Sequence, residues 1–191
     1  MLTFDEEVHA YAWDGRPVPS VSAILQGAGL VTGSAYYTPE SANRGKRIHR
    51  ATEHLDLFGE LPEPEDEIRP YLDAYARFLD ESQFSLDRIE DRVYGKLDTG
   101  EEWAGTYDRS GVLRGRLVIL DIKTGAKAKW HPAQLAGYAL ADGRSAGTGN
   151  LYLKKTGGYT LEMVDAGDAM NARIAWIDAV RRYYADHPSA H

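Results

Sequence analysis

Two short runs in this chain carry the groups best placed to do chemistry. The first is Gly105-Thr106-Tyr107-Asp108. Twelve residues separate it from the second, Asp121-Ile122-Lys123-Thr124-Gly125. Side chains alternate along a strand, so Asp121 and Lys123 share one face, one pleat repeat apart. If the strand before them is an antiparallel neighbour, Asp108 reaches the same place, and two carboxylates converge beside one ammonium. Such carboxylates repel and shift their pKa values unless a cation joins them. A hard divalent ion such as Mg²⁺ suits oxygen ligands of this kind. It could polarise a phosphodiester and lower the pKa of a bound water. Lys123 would then orient or deprotonate that water, or stabilise developing charge. The plainer alternative is a surface ion pair at a strand end, and the spacing alone leaves both readings open.

The elements that must position these groups can be read from periodicity and caps. The first twenty residues alternate around Asp14-Gly15, a hairpin turn signal. Ser20 caps a short helix carrying Val21, Ile24 and Leu25, followed by a loop with Gly27, Gly29 and Gly33. Thr38-Pro39 opens a longer helix that runs to about Leu57 and ends near Gly59, with Arg44-Gly45-Lys46-Arg47-Ile48-His49-Arg50 inside it. The Pro- and acid-rich GELPEPEDE is a connector. Ile68, Tyr71, Leu72, Tyr75, Phe78 and Leu79 then fall at helical spacing. Residues 88–95, 102–108 and 116–123 read as a three-stranded meander, with Thr99-Gly100 as a turn. A helix over 132–141, strands over 150–155 and 159–164 around Gly157-Gly158, and a helix over 168–184 complete the chain. The last helix carries Met170, Ile174, Ile177 and Val180 on one stripe. The expected fold is α/β: one domain over 1–191, with a mixed central sheet flanked by helices in an αβββαβ core. An N-terminal hairpin and helical segment over 1–60 precede a catalytic part over 61–191.

Composition narrows the function. The 191 residues are 43% hydrophobic and 27% charged, as in an ordinary globular protein. With no Cys there is no disulfide, iron–sulfur cluster or thiol nucleophile. No apolar run approaches membrane-spanning length and the N-terminus does not read as a signal peptide, so a cytoplasmic protein of a bacterial or phage-infected cell is expected. The net charge of −7 speaks at first against DNA. It is unevenly spread, however. Residues 41–50 hold Arg44, Lys46, Arg47 and Arg50 and no acid, and residues 104–131 hold Arg109, Arg114, Arg116, Lys123, Lys127 and Lys129 against Asp108 and Asp121. The basic segments are those that bear the motifs, and phosphate contacts need only local cations.

Residues 105–138 together resemble the PD-(D/E)XK nuclease superfamily, in the branch of RecB nuclease domains, Cas4-like proteins and phage exonucleases. The matching pieces are Gly105 to Asp108, Asp121 to Gly125, Gln134-Leu135-Ala136-Gly137-Tyr138, and upstream Gly45 to His49. The stretch of His9, Tyr11 and Asp14 to Ser22 is similar to a segment of phage-type members. The resemblance implies that Asp108, Asp121, His49 and the Ile122 backbone carbonyl ligate Mg²⁺, for which Mn²⁺ substitutes, with Lys123 as the catalytic lysine. Glu90 matches an acidic position that some members add. Gln134 and Tyr138 would hold DNA and brace the site; Gly45, Arg44, Arg47, Lys127 and Lys129 would adjoin the DNA. One departure is Asp121 where Glu is commoner, which shortens the ligand's reach.

Outside such a family His49 would be a surface or core histidine, and Gln134 and Tyr138 a surface amide and a half-buried aromatic. Trp103 and Trp130 could stack on bases, with a core or rim role as the alternative. Asp98, Glu101 and Glu102 sit in a turn and read as solvated; His131, His187 and His191 show no ligand spacing. The expected activity is a metal-dependent DNA nuclease, an exonuclease of phage-type recombination, repair or DNA processing, without an iron–sulfur cluster. Its partners would be DNA and a recombination or replication protein. A structure-specific or single-strand endonuclease, and a non-cleaving DNA-binding or assembly module of the same fold, are the alternatives.

Overall fold

The computed structural model describes residues 1–31, 38–60, 63 and 66–188. Gly33 of the first loop, Leu61, Pro62, Pro64 and Glu65 of the connector, and His191 lie outside the described residues.

Strands β1 (Leu2–Asp5), β2 (Ala10–Trp13) and β3 (Arg16–Val18) form a small antiparallel sheet. Its second turn is Asp14-Gly15, with φ of +48° and +78°, the left-handed pair that a tight hairpin needs. The Ser20 hydroxyl caps α1 (Val21–Gly27) by accepting from the Ala23 amide at 3.0 Å. Thr38 and Ser41 cap α2 (Pro39–Phe58) reciprocally, and Gly59 at φ +74° stops it. This defined start and stop fixes which turns of α2 face the sheet. α3 (Arg69–Ser82) buries Tyr71, Leu72, Ala74, Tyr75 and Phe78.

The central sheet has the order β4-β5-β6-β7-β8. β4 (Ser85–Lys96), β5 (Glu102–Leu113) and β6 (Arg116–Lys123) are the antiparallel meander. α4 (His131–Asp142) crosses over to β7 (Gly147–Leu153), which lies parallel to β6, and β8 (Tyr159–Met163) returns antiparallel. α5 (Ala166–Asp186) closes the chain. Val118, Leu120, Ile122, Leu151 and Leu153 form one core with α2 and α3. Trp103, Tyr107 and Ile119 form the other, with α1, α4 and α5. The mixed α/β architecture is therefore as expected. β5 runs five residues beyond the anticipated 108, because Arg114-Gly115 (φ +50° and +78°) makes another tight turn that pairs 109–113 with 116–120.

Two expectations are corrected. On α5 Met170 and Ile174 are exposed, and the core face is Ala172, Trp176, Ala179, Val180 and Tyr184. The Trp176 ring sets this phase: it packs edge-on against Trp103 and so near Gly137 that a Cβ there would meet it at 2.9 Å. Trp103 itself is a core residue whose Nε1 donates to the Gly137 carbonyl at 3.0 Å. Glu102, in turn, is not solvated with Asp98; it is 8% exposed at the start of β5. There it pairs with Arg16 of β3 at 3.1 Å and Lys96 of β4 at 3.0 Å. With the Trp13–Tyr94 stack and the Ala104 amide donating to Pro19, this pair ties the small sheet to the large one.

Burial raises the Glu102 carboxyl, but hydrogen bonds from Arg16, Tyr94 and Lys96 outweigh it and hold it at about 2. A carboxyl held low stabilises the fold above its ordinary value of 4.5, and that contribution is lost as the pH falls toward about 2. Glu102→Gln is thus expected to be less stable than wild type by about 1 kcal/mol at pH 7 in urea unfolding. The difference should shrink steadily below pH 4.5.

Candidate active site

The predicted residues meet where β5 and β6 part company, with β4 alongside. In β5, Tyr107 faces the α4 side, with its hydroxyl donating to Asp142 at 3.2 Å. Asp108 and Arg109 both reach α2: Asp108 lies 3.4 Å from His49, and Arg109 bonds Asp56 at 2.5 Å. Strand alternation is thus broken between two adjacent residues, the kind of irregularity that re-aims a side chain. On β4 the register of Ile89 with Arg109 and Asp91 with Tyr107 sets Glu90 across from Asp108. Glu90 has φ +47°, a left-handed conformation that a long side chain adopts only under constraint. The β5–β6 ladder stops at Arg109 and Leu120. Beyond it the Asp108 carboxylate takes over the ladder's role, accepting the Ile122 amide at 2.5 Å.

This brings one nitrogen or oxygen each of His49, Glu90 and Asp108 within 4.8 Å of one another, from α2, β4 and β5. Asp121 is outside that group but electrostatically coupled to Asp108, and 4% exposed. Burial and the neighbouring Asp108 push Glu90 up to about 7, against the pull of Arg109 and His49. Burial pushes Asp121 up as well; Lys123 pulls it back, Asp108 pushes again, and it stands at about 6. Burial opposes charge on His49, yet Asp108, Glu90 and Asp121 outweigh it and raise the imidazole to about 9. Asp108 is held low by His49, Lys123 and Arg109 in spite of its burial. Carboxylates with this much unspent proton affinity, beside one imidazole, are a donor set that fits a divalent cation.

On the α4 side Lys123 pairs with Asp121 at 2.5 Å and donates to Gln134 Oε1 at 2.8 Å. Gln134 Nε2 donates in turn to the Tyr138 hydroxyl at 3.2 Å. The four-residue spacing places both on one helical face, so α4 fixes the lysine through two linked side chains. Gly105 is what lets α4 come so close, since a Cβ there would stand 2.7 Å from the Tyr138 ring. The Lys123 ammonium also lies over the Trp130 ring, 5.5 Å from its centroid.

Gly45 has open space, and an added Cβ would meet only the Thr124 hydroxyl, at 3.7 Å. Arg44 and Arg47 both pair with Glu67, and Lys127 pairs with Glu162. Lys129 is exposed on the same loop. Arg109 departs from its place among the phosphate-facing cations, being 1% exposed and committed to protein partners. Reading the sequence missed those partners, Asp56 and Thr52, along with Tyr11, whose hydroxyl lies 2.8 Å from Thr106. Tyr11 falls in the His9–Ser22 stretch already singled out, but nothing in its spacing pointed to the site. His131 is buried, with Nδ1 2.8 Å from the Tyr152 hydroxyl, and its pKa is depressed to about 4 by burial and Lys123.

No family model matches the chain, and neither does any curated protein. Among solved structures it is similar to a candidate exonuclease from Eubacterium rectale, at 13% identity and TM-score 0.55, over 88% of this chain and 82% of that one. It also aligns with an alkaline exonuclease from Laribacter hongkongensis (12% identity, TM-score 0.39, 90% and 92% covered). A phage-related exonuclease from Haemophilus somnus aligns as well (15%, 0.36, 90% and 95%). The first likeness establishes the fold: the mixed sheet and its flanking helices are shared with that protein.

The site's electrostatics have a consequence for the protein without metal. An acid whose folded pKa is raised destabilises the fold while ionised, and ceases to do so once protonated in both states. In chelator, Asp121→Asn is expected to exceed wild type in stability at pH 8 by about 1–3 kcal/mol. The gap should close as pH falls from about 6 to below 3.8. Urea unfolding followed by circular dichroism checks this; a less stable variant at pH 8 contradicts it.

Proposed function

We propose that this protein is a divalent-metal-dependent DNA nuclease of the PD-(D/E)XK class, and that it acts as an exonuclease. The observation that carries the reading is the convergence of His49, Glu90 and Asp108 within 4.8 Å, with Asp121 and Lys123 on the adjoining strand. The fold is the one it shares with the candidate exonuclease from Eubacterium rectale. A binding module would have no use for buried carboxylates that repel each other beside a fixed lysine.

In this reading His49, Glu90, Asp108, Asp121 and the Ile122 carbonyl hold Mg²⁺ or Mn²⁺. The bound ion supplies Lewis acidity toward the phosphodiester and lowers the pKa of water. The chain's own groups do the positioning. Lys123, fixed by Asp121 and Gln134, presents its ammonium to the reacting phosphate and orients the attacking water. Tyr138 and Gln134 keep that ammonium from swinging away, and Trp130 shields one side of it. Arg44, Arg47, Lys127 and Lys129 meet the flanking phosphates. The processing or recombination of phage-type DNA, with a recombination or replication protein as partner, is the setting proposed.

End-labelled linear DNA and covalently closed circles, each with Mg²⁺, Mn²⁺ or chelator, test the reading. Linear DNA is expected to be degraded with metal and left intact in chelator, and circles are expected to survive. Asp108→Ala and Lys123→Ala should lower the rate by at least about a hundredfold while keeping the wild-type circular dichroism. Cleavage of circles would assign an endonuclease. Wild-type protein that binds DNA yet cuts neither form with any metal would show a binding module.

A further inference from the structure

Arg109 is buried, and every nitrogen of its guanidinium is hydrogen-bonded. Its Nε bonds Asp56 at 2.5 Å and its Nη2 bonds Thr52 at 3.3 Å, both on α2. Nη1 bonds Glu90 of β4 at 3.0 Å and the Asp108 carbonyl of β5 at 2.7 Å. Tyr75 of α3 donates to the same Asp56 carboxylate at 2.8 Å and lies beneath the guanidinium. Thr52 also returns to the helix, donating to the His49 carbonyl at 2.9 Å.

His49, Glu90 and Asp108 come from three separate elements, and Arg109 touches all three. It follows Asp108 in sequence, grips the Glu90 carboxylate directly, and holds α2 one turn beyond His49. We infer that Arg109, anchored by Asp56, is a positioning residue that sets the spacing of the His49–Glu90–Asp108 cluster for its metal. The inference rests on the reading of that cluster as a metal site. Only a guanidinium has the planar fork to satisfy these acceptors at once; a lysine ammonium is a single point charge. The uncommon backbone of Glu90 fits the same picture, because the fork holds its carboxylate toward Asp108 in a conformation the residue would not choose alone.

The test is Mn²⁺ binding, measured by calorimetry and by electron paramagnetic resonance of the bound ion, in wild type, Arg109→Lys, Asp56→Asn and Val180→Ala. Val180 is a buried residue of α5 in the core on the other face of the sheet. It controls for a loss of stability unconnected with the cluster. Arg109→Lys and Asp56→Asn should bind Mn²⁺ about 10- to 100-fold more weakly with an altered resonance spectrum, whereas Val180→Ala should bind as wild type. If Arg109→Lys fails to fold, Asp56→Asn, which keeps the shape of the anchor, decides. Folded variants with wild-type Mn²⁺ affinity and spectrum would overturn the positioning role and leave the metal reading intact. Wild-type protein that binds no Mn²⁺ overturns both.

Discussion

Mutual repulsion among buried and half-buried acids governs this structure. Glu90, Asp108 and Asp121 converge at the mouth of two parting strands, and Asp56 sits one guanidinium away. Withdrawing a carboxylate from water costs several kcal/mol unless the charge is matched and its lone pairs are used. The fold answers with three cations from three directions: His49 from α2, Lys123 from β6 and Arg109 from β5. Even so the matching is incomplete, since Glu90 and Asp121 keep proton affinities well above the ordinary carboxylate range. A protein selected only for stability would have replaced one of these acids. The metal of the proposed reading would supply the further positive charge.

The backbone around the cluster is shaped to the same end. A regular ladder would send Asp108 and Arg109 to opposite faces of the sheet. Instead both turn toward α2, and Glu90 on the neighbouring strand takes a left-handed conformation. Such local cost persists only where the surroundings over-determine it. On one side the Arg109 fork supplies that constraint. On the other, the Tyr107 hydroxyl lies in a net of Arg144, Asp91 and Asp142, which pins β4 and β5 to the end of α4. The kink is thus clamped from both faces, and the acids between the clamps have little freedom to move apart.

Much of this was legible in the sequence, and the reason is locality. The caps at Ser20 and Thr38, the stop at Gly59, and the alternation of the meander depend on neighbours within a few residues. The four-residue spacing of Gln134 and Tyr138 places them on one face without knowledge of what they touch. The illegible parts all depend on distant partners. An arginine after an aspartate reads as a surface cation until Asp56, 53 residues earlier, is seen to receive it. Glu102 reads as a turn residue until Arg16 arrives from the small sheet. The phase of α5 is settled by Trp103 and Gly137, not by its own stripe of Met170 and Ile174. Periodicity gives the pieces and their order; the alternation break that creates the cluster carries no periodic signal.

Under the proposed nuclease function, the same division accounts for how an acidic chain would present a face to an anionic partner. Arg109 is spent internally, so the cations left to meet phosphate are fewer than the sequence suggests. Arg44 and Arg47 share Glu67, and Lys127 pairs with Glu162, all at least partly exposed. Exposed pairs of this sort are worth at most about 1 kcal/mol and weaken with salt. A phosphate group offers a guanidinium the same planar, bidentate geometry as a carboxylate. In the proposed reading a phosphate of the nucleic acid would take the place of Glu67 and release counterions. In the proposed reading the buried cations hold the site and the surface ones meet the substrate, and burial separates the two roles.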